Sequence, residues 1–340
     1  MTETARTVTL AKRPEGVPGD DCFALEDRPL GDLAEGHVRV RVIWLSLDPY
    51  MRGRMNAGKS YSPPVEIGEA MGGQGVGEVI GSRAEGFAEG DIVTGMFGWV
   101  SHADAPAGEV RRLDPALAPV QTALGVLGMP GLTAWVGVHR ILEAQAGETA
   151  VVSAATGAVG SVAGQLARRH GLRAVGVAGG PEKCAYAEEE LGYDACLDHR
   201  APDLRARLGE AAPDGVDGYF ENVGGVTLEA VLPALNDHAR IALCGVVAWY
   251  NGQGVADAMP LPAMWRTILV KRLRVQGFII YDHFHRFPEF LAEVGPLVAD
   301  GTLRYRESVT EGLENAPAAF RAMLEGGNFG KTLVRVGPDA

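Results

Sequence analysis

Apolar and polar positions alternate in short runs over the first third of the chain. From Thr7 to about Asp104 the runs Phe23–Glu26, His37–Trp44, Gly75–Ile80 and Asp91–Phe97 are rich in Val and Ile, and glycine- or proline-bearing segments separate them. Runs of that kind predict strands. Gly75-Val-Gly-Glu-Val-Ile-Gly81, Gly86-Phe87 and Glu89-Gly-Asp-Ile-Val93 read as hairpin-linked strands of a small barrel. Leu45–Met55 (Leu-Ser-Leu-Asp-Pro-Tyr-Met-Arg-Gly-Arg-Met) reads as a polar loop after a strand, and Tyr61-Ser-Pro-Pro-Val65 as a proline-stiffened segment.

Near Ala118 the pattern changes. Val120–Leu127 reads as a helix, Gly128–Trp135 as a break in it, and Ala134–Leu142 as its resumption. Strands are then predicted over 149–153, 173–177, 194–198, 216–220 and 239–243, and helices over 158–170, 182–191, 202–209 and 227–235. This alternation predicts an α/β fold with a doubly wound parallel sheet, ended by a strand over 273–280. A helix over 287–299, a strand over 305–309, a helix over 316–325 and a strand over 332–336 lie outside the series. They are expected to return to the N-terminal domain, with a catalytic cleft between the two domains. The expected domains are therefore 1–124 with 290–340, and 125–289.

Composition narrows the classes. The net charge of -12 disfavours a nucleic-acid partner. No apolar run approaches the roughly 20 residues of a membrane span, and the N-terminal Met-Thr-Glu-Thr-Ala-Arg lacks the apolar core of a signal peptide. The four cysteines (Cys22, Cys184, Cys196, Cys244) are scattered with no C-x-x-C, which argues against a zinc site or a disulfide framework and fits a reducing cytoplasm.

Thr149–Gly171 carries the first chemical signal. A short apolar strand turns through Ala155, Gly157 and Gly160 and runs on as a helix with Val159, Val162, Ala163 and Leu166 on one face. Strand, glycine-rich turn and helix N-terminus in that order predict a dinucleotide site, in which backbone N–H groups approach a pyrophosphate. Ala155 stands at the first glycine of the usual fingerprint, and a tight turn without ligand is the alternative.

A strand that recognises NAD ends in Asp or Glu, which holds the ribose 2′-hydroxyl. Here the second strand ends Val177-Ala-Gly-Gly-Pro-Glu-Lys183. Gly179 and Gly180 leave room for a bulkier group, and Lys183 opposes the dipole of the helix it opens, so a 2′-phosphate would explain it better than stability does. That points to NADP(H); the alternative is an ordinary solvated lysine. His199 and Arg200 are further candidate phosphate contacts.

These motifs converge on a family. The chain resembles the zinc-independent medium-chain reductases of the leukotriene B4 dehydrogenase/prostaglandin reductase group, with plant alkenal double-bond reductases and bacterial curcumin reductase. The carriers are Leu47-Asp-Pro-Tyr-Met-Arg52, Gly128-Met-Pro-Gly-Leu-Thr-Ala-Trp135, Ala154-Ala-Thr-Gly-Ala-Val-Gly160, Phe220-Glu-Asn-Val-Gly-Gly225, Gln276-Gly-Phe278 and Gly327-Asn-Phe-Gly-Lys-Thr332. The resemblance covers nearly the whole chain. It implies a GroES-like β-barrel domain, a Rossmann domain carrying NADPH, and hydride transfer to the β-carbon of an α,β-unsaturated ketone or aldehyde.

By motif, the resemblance places Gly157, Ala158, Val159 and Gly160 at the pyrophosphate, and Gly180, Lys183 and His199 at the 2′-phosphate. Asn222 falls on the ribose side, and Cys244, Gly245, Val246 and Tyr250 form a loop over the cofactor. Phe278, Ile279 and Ile280 offer backbone to the carboxamide, with Thr133, Asn328 and Gly330 as further cofactor contacts. Two positions depart from the family pattern: His199 stands where Tyr is frequent, and Val270 stands where Tyr often precedes the pair matched by Lys271-Arg272.

Hydride attack on an enone leaves an enolate that must be stabilised and protonated. Tyr50, Tyr61 and Tyr250 are the candidate donors, with the cofactor ribose as the alternative; for each tyrosine, ordinary packing is the competing role. Arg52 and Arg54 could steer an acidic substrate, but are read as solvated or paired with Asp48. Asp282-His-Phe-His285 lacks companion ligands, and Ser46-Leu-Asp-Pro and Glu66-Ile-Gly-Glu stand where a zinc alcohol dehydrogenase needs Cys and His-Glu, so no metal is expected. A small-molecule enone or enal is the expected partner, and a homodimer the expected assembly. An NADPH quinone reductase and a non-catalytic NADPH-binding sensor remain the competing functions.

Overall fold

A computed structural model describes residues 4–339 in two compact units, one built from the chain up to Gly125 and from Glu307 onward, the other from Val126–Arg306. The first three residues, part of the N-terminal segment read for a signal peptide, lie outside the described residues. Among the described residues no helix is long and apolar enough to cross a membrane.

The first unit opens with β1 (Thr4–Leu10) and β2 (Phe23–Pro29), an antiparallel pair. Then come β3 (His37–Ser46), the short helix α1 (Tyr50–Arg54), β4 (Gly75–Ser82), β5 (Ile92–Gly95), β6 (His102–Pro106) and β7 (Arg111–Arg112). In β3 the side chains of Val38, Val40 and Val42 are buried while Arg39 and Arg41 reach outward to Asp104 and Glu78, the period of two that a strand imposes.

The second unit begins with α2 (Met129–Val136) and continues as strand–helix repeats: β8 (Thr149–Ser153), α3 (Gly160–Arg169), β9 (Arg173–Ala178), α4 (Pro181–Glu189), β10 (Ala195–Asp198), α5 (Leu204–Ala211), β11 (Val216–Glu221), α6 (Gly225–Val231) and β12 (Leu235–Leu243). After α7 (Leu261–Lys271) and β13 (Arg274–Gly277), α8 (Phe287–Ala299) closes the unit. Its sheet has the order β10-β9-β8-β11-β12-β13, every pair parallel. Strand order reverses between β8 and β11, which marks the crevice where ligands bind in such sheets. Both faces are covered: Ala150 and Val152 of β8 enter one core with α2, α3 and α8, while Val151 enters the other with α5 and α6.

The chain then rejoins the first unit through β14 (Glu307–Glu311), α9 (Ala316–Leu324) and β15 (Lys331–Arg335). The expected small barrel is a seven-stranded sheet, β14-β15-β3-β4-β5-β7 with β6 also on β3.

Several sequence expectations are corrected. Gly128–Trp135 does not break a helix: it begins α2, because Pro130 sits in the first turn, where its missing N–H costs nothing, and Gly128 is the N-cap. A π-turn over Gly137–Ile141 continues it, and Val120–Leu124 is only 3-10 helix. The strand expected over 273–280 shrinks to Arg274–Gly277, after which Ile280–Arg286 coils into a 3-10 turn. Part of the polar loop Leu45–Met55 is α1, and its Met51, Arg52 and Met55 are buried. The second domain boundary falls at 306/307 rather than near 290, because Phe290, Val294 and Leu303 pack into the core of the parallel-sheet unit.

Candidate active site

The glycine turn after β8 closes on one carbonyl. Gly157 N donates to Ala154 O at 2.9 Å, and Ala154 itself takes φ +50°. A Cβ on Gly160 would lie 2.2 Å from that same Ala154 O, so only glycine lets α3 start there. Ala158 and Val159 bridge the two glycines, and Val162, Ala163 and Leu166 bury the apolar face of α3. The first amides of a helix have no intrahelical acceptor and carry its positive dipole end. A turn cleared of side chains and facing such amides fits a dinucleotide pyrophosphate.

One strand over, the turn from β9 into α4 runs through Gly179 and Gly180, the latter with φ +99°. A Cβ on Gly179 would meet His199 Nε2 at 3.0 Å and the Arg200 guanidinium at 3.4 Å; one on Gly180 would meet Arg200 at 3.5 Å. Lys183 reaches the same corner from the first turn of α4. Partial burial and the neighbouring Arg200 cation hold its ammonium below the ordinary lysine value. Desolvation, then Arg200, and more weakly Lys183, depress the His199 imidazole, which Asp198 partly offsets. His199 and Arg200 therefore crowd the two glycines, with Lys183 close enough to feel the Arg200 charge, a basic corner suited to an anion. This fits a 2′-phosphate.

At the strand-order reversal, β8 and β11 are tied together. Asn222 N donates to Ser153 Oγ at 2.7 Å, and Asn222 Nδ2 to Ser153 O at 2.8 Å. Glu221, buried at 1% exposure, accepts the Ser153 hydroxyl at 3.0 Å and the Val223 and Gly224 amides at 2.7 and 2.9 Å through Oε1. Its Oε2 has no hydrogen-bond partner among the described residues. Asn222, whose amide nitrogen is engaged, keeps Oδ1 as an acceptor.

Beyond β12, Cys244, Gly245 and Val246 join Leu243, Gly277, Phe278, Ile279 and Asp282 around a cavity of about 380 Å³. Phe278 and Ile280 are buried, and Phe278 meets Phe220 edge-on at 6.3 Å. Burial, with Glu221 nearby, pushes the Cys244 thiol up to about 12, so it is a neutral wall rather than a nucleophile. Tyr250 follows the 3-10 turn Val247–Trp249, with its hydroxyl about 3.2 Å from where a Gly245 side chain would begin. Burial raises its phenol, which keeps it protonated and able to donate at neutral pH. Thr133 lies buried in α2 and spends its hydroxyl proton on Met129 O at 2.8 Å, leaving only acceptor capacity.

In the first unit, Tyr50 opens α1, half-buried against the core formed with Met51 and Phe320, and the Arg54 guanidinium lies 4.9 Å from its ring centre. Tyr61 is 51% exposed. Asn328 Nδ2 donates to Gly330 O at 2.9 Å, a turn that Gly330 permits with φ +81°. Asp48 does not pair with Arg52. Its partner is Lys331, whose Nζ lies 2.8 Å from Asp48 Oδ1 and 2.6 Å from Leu47 O, both residues almost fully buried. Arg52 instead turns inward to Asn56 Oδ1 and Gly16 O, each at 2.8 Å.

The parallel-sheet unit thus gathers Gly157–Gly160, Gly180, Lys183, His199, Asn222, Cys244–Val246, Tyr250 and Phe278–Ile280 on the loops that follow its strands, while Tyr50, Tyr61, Asn328 and Gly330 belong to the first unit. Sequence reasoning passed over Ser153, Glu221 and the Asp48–Lys331 pair. A carboxylate in the apolar run Tyr219-Phe-Glu, and a lysine opening the apolar Lys331-Thr-Leu-Val, were the available signals.

The family described as the N-terminal domain of oxidoreductase matches residues 6–113, and that described as zinc-binding dehydrogenase matches residues 158–295. The NADPH-dependent curcumin reductase of Escherichia coli (strain K12) is 47% identical over 336 residues, 98% of this chain and 97% of that protein. The chain belongs to the zinc-independent medium-chain dehydrogenase/reductase family. Prostaglandin reductase 1 of Rattus norvegicus is 39% identical to this medium-chain reductase over 97% of the chain and 99% of its own length. The crystal structure of CurA from Vibrio vulnificus in complex with NADPH matches it with a TM-score of 0.94 at 44% identity, covering 98% of this chain and 100% of that one. Among the described residues no group of three or more His, Cys, Asp or Glu side chains is placed to hold a metal ion.

Proposed function

We propose that this protein is an NADPH-dependent reductase of the carbon–carbon double bond of α,β-unsaturated ketones and aldehydes. The observation that carries the reading is the end-to-end similarity to curcumin reductase and prostaglandin reductase. When bound, NADPH supplies the hydride that adds to the β-carbon of the substrate. Gly157–Gly160 hold the pyrophosphate by backbone, Lys183 and His199 take the 2′-phosphate, and Asn222 offers its Oδ1 to the ribose. Phe278–Ile280 present backbone groups and an apolar wall to the nicotinamide, and Thr133, Asn328 and Gly330 complete the cofactor contacts. Tyr250, kept protonated by burial, donates to the enolate oxygen; Tyr50 and Tyr61 are the further hydroxyl donors from the first unit.

The test is loss of NADPH absorbance with a simple aliphatic enone, beside NADH and a quinone. Rapid loss with NADPH and enone alone is the expected result. Turnover confined to the quinone would make the protein a quinone reductase, and tight NADPH binding without any turnover would make it a sensor. Tyr250→Phe should lower kcat by roughly ten- to a hundredfold with little change in KM for NADPH; an unchanged kcat would move the proton to the cofactor ribose or to Tyr50.

The same reading places the enzyme in the cytoplasm, which suits four free thiols, and makes it a homodimer. All four residues of the edge strand β13 are exposed, and beside it α7 exposes Leu261, Trp265, Leu269 and Val270 by 57% or more. A bare sheet edge flanked by that much apolar surface calls for a partner. Gel filtration should give a dimer that Trp265→Glu converts to monomer; a monomeric wild type would remove the proposal.

A further inference from the structure

The three basic side chains at Gly179-Gly180 sit on two different loops. Lys183 follows β9 on α4, while His199 and Arg200 follow β10. Neither loop alone brings these basic groups together, and the Arg200 charge opposes protonation of both Lys183 and His199. The group that joins the loops is Asp198, the last residue of β10. Its Oδ1 accepts the Gly180 amide at 2.9 Å and the Arg200 amide at 3.0 Å. Its backbone adds to the same junction: His199 N donates to Ala178 O at 3.0 Å, and Ala201 N donates to Asp198 O at 3.0 Å.

A carboxylate this close to a phosphate site is unexpected on charge alone. An acidic side chain at a strand tip normally serves the 2′-hydroxyl of NAD and repels a phosphate. Here two amides converge on one carboxylate oxygen, and His199 and Arg200 flank it. Burial raises the carboxyl, but the Arg200 and Gly180 amides and the neighbouring cations outweigh that and hold it below the usual range. The acid is therefore ionised, and its charge is offset by donors that belong to the backbone. We propose that Asp198 is the positioning residue that gives this enzyme its preference for a 2′-phosphorylated cofactor: it fastens the Gly180 turn to the Arg200 loop and so holds Lys183, His199 and Arg200 around one anion. Asp198 itself touches no cofactor atom in this scheme. The inference rests on the NADPH reading given above.

The experiment measures dissociation constants for NADP+ and NAD+ by titration calorimetry on the full-length protein, with its cofactor-free Tm, for wild type, Asp198→Asn, Asp198→Ala and Lys183→Ala. An asparagine carbonyl can accept the same two amides without the charge that strengthens them, whereas alanine accepts neither. Asp198→Ala should weaken NADP+ by roughly tenfold, the scale of losing hydrogen bonds to a charged group. NAD+ should change less than about twofold on the same scale, and Asp198→Asn should recover most of the loss. Equal loss for both cofactors would make Asp198 merely structural and overturn the proposal. Tighter NADP+ binding by Asp198→Asn would overturn it in the other direction, by showing that the charge opposes the phosphate. Should Asp198→Ala fail to fold, Asp198→Ser takes its place, since one short hydroxyl cannot hold both amides as the carboxylate does: a loss confined to NADP+ supports the proposal, and an undiminished preference overturns it. Failure of the underlying reading looks different: wild type and Lys183→Ala would then bind NADP+ and NAD+ alike.

Discussion

The two ends of the proposed cofactor site are built by opposite means. The pyrophosphate turn is made of absences: Gly160 must lack a Cβ because Ala154 O would lie 2.2 Å from it, and no charged side chain takes part. The corner at Gly179-Gly180 is made of side chains, three basic groups from two loops fastened by one carboxylate. A backbone cradle cannot distinguish NADH from NADPH, since both carry the same pyrophosphate. A cation cluster can, since only one carries the extra phosphate. The proposal thus assigns binding to the turn and selection to the corner, and substitutions should separate the two.

The largest effect is expected at the turn. Gly160→Ala forces Cβ against a backbone carbonyl, and the resulting shift of α3 should loosen its amides from the pyrophosphate and weaken NADP+ and NAD+ together by roughly a hundredfold, the scale of losing hydrogen bonds to a charged group. Calorimetry with both cofactors checks this; a loss confined to NADP+ would dissolve the division of labour. Next comes Lys183→Ala, which should weaken NADP+ by roughly ten- to a hundredfold and leave NAD+ unchanged. If NAD+ falls in step, the lysine supports the fold rather than reading the phosphate.

The smallest effect sharpens the corner. His199 is held below its ordinary value by desolvation, Arg200 and Lys183, against the pull of Asp198. A bound phosphate raises it, so binding takes up a proton wherever the pH lies between the free and bound values. Above the phosphate's own second pKa of about 6, NADP+ affinity should therefore fall a few-fold as pH rises to about 8.5, on the scale of one charge–charge contact. NAD+ affinity should stay flat, and His199→Gln should flatten the NADP+ curve. A wild-type curve already flat would remove His199 from the contact set.

What the sequence revealed follows the same division. The glycine turn was legible because everything it needs is local: an apolar strand, two glycines three residues apart, and a helix with a regular apolar face. The alternation of β8 to β12 with its helices was legible for the same reason. Position-dependent residues were harder. Pro130 read as a breaker because composition does not say that it falls in the first turn, and Leu273–Ile280 read as one long strand because its apolar ends, Leu273 on one side and Phe278 and Ile280 on the other, are buried around a short exposed edge strand. Contacts across long separations were not legible. Asp48 and Lys331 stand 283 residues apart, and no spacing rule connects them. Asp198 was visible as a residue, but its role depends on Gly180, which only the pairing of β9 with β10 brings near.

The first unit is completed by the last stretch of the chain, for β15 lies against β3, with Leu333 opposite Ser46, and Lys331 neutralises the buried Asp48. During synthesis this has a cost in time. The parallel-sheet unit, drawn from one uninterrupted stretch, can fold as soon as it emerges. The earlier 125 residues cannot. At roughly 5–20 residues per second they wait on the order of ten to forty seconds, holding Asp48 without Lys331 and the unpaired side of β3 exposed. A nascent chain stalled before Glu307 should therefore carry one protease-resistant half and one open half, the latter being the part a chaperone would hold.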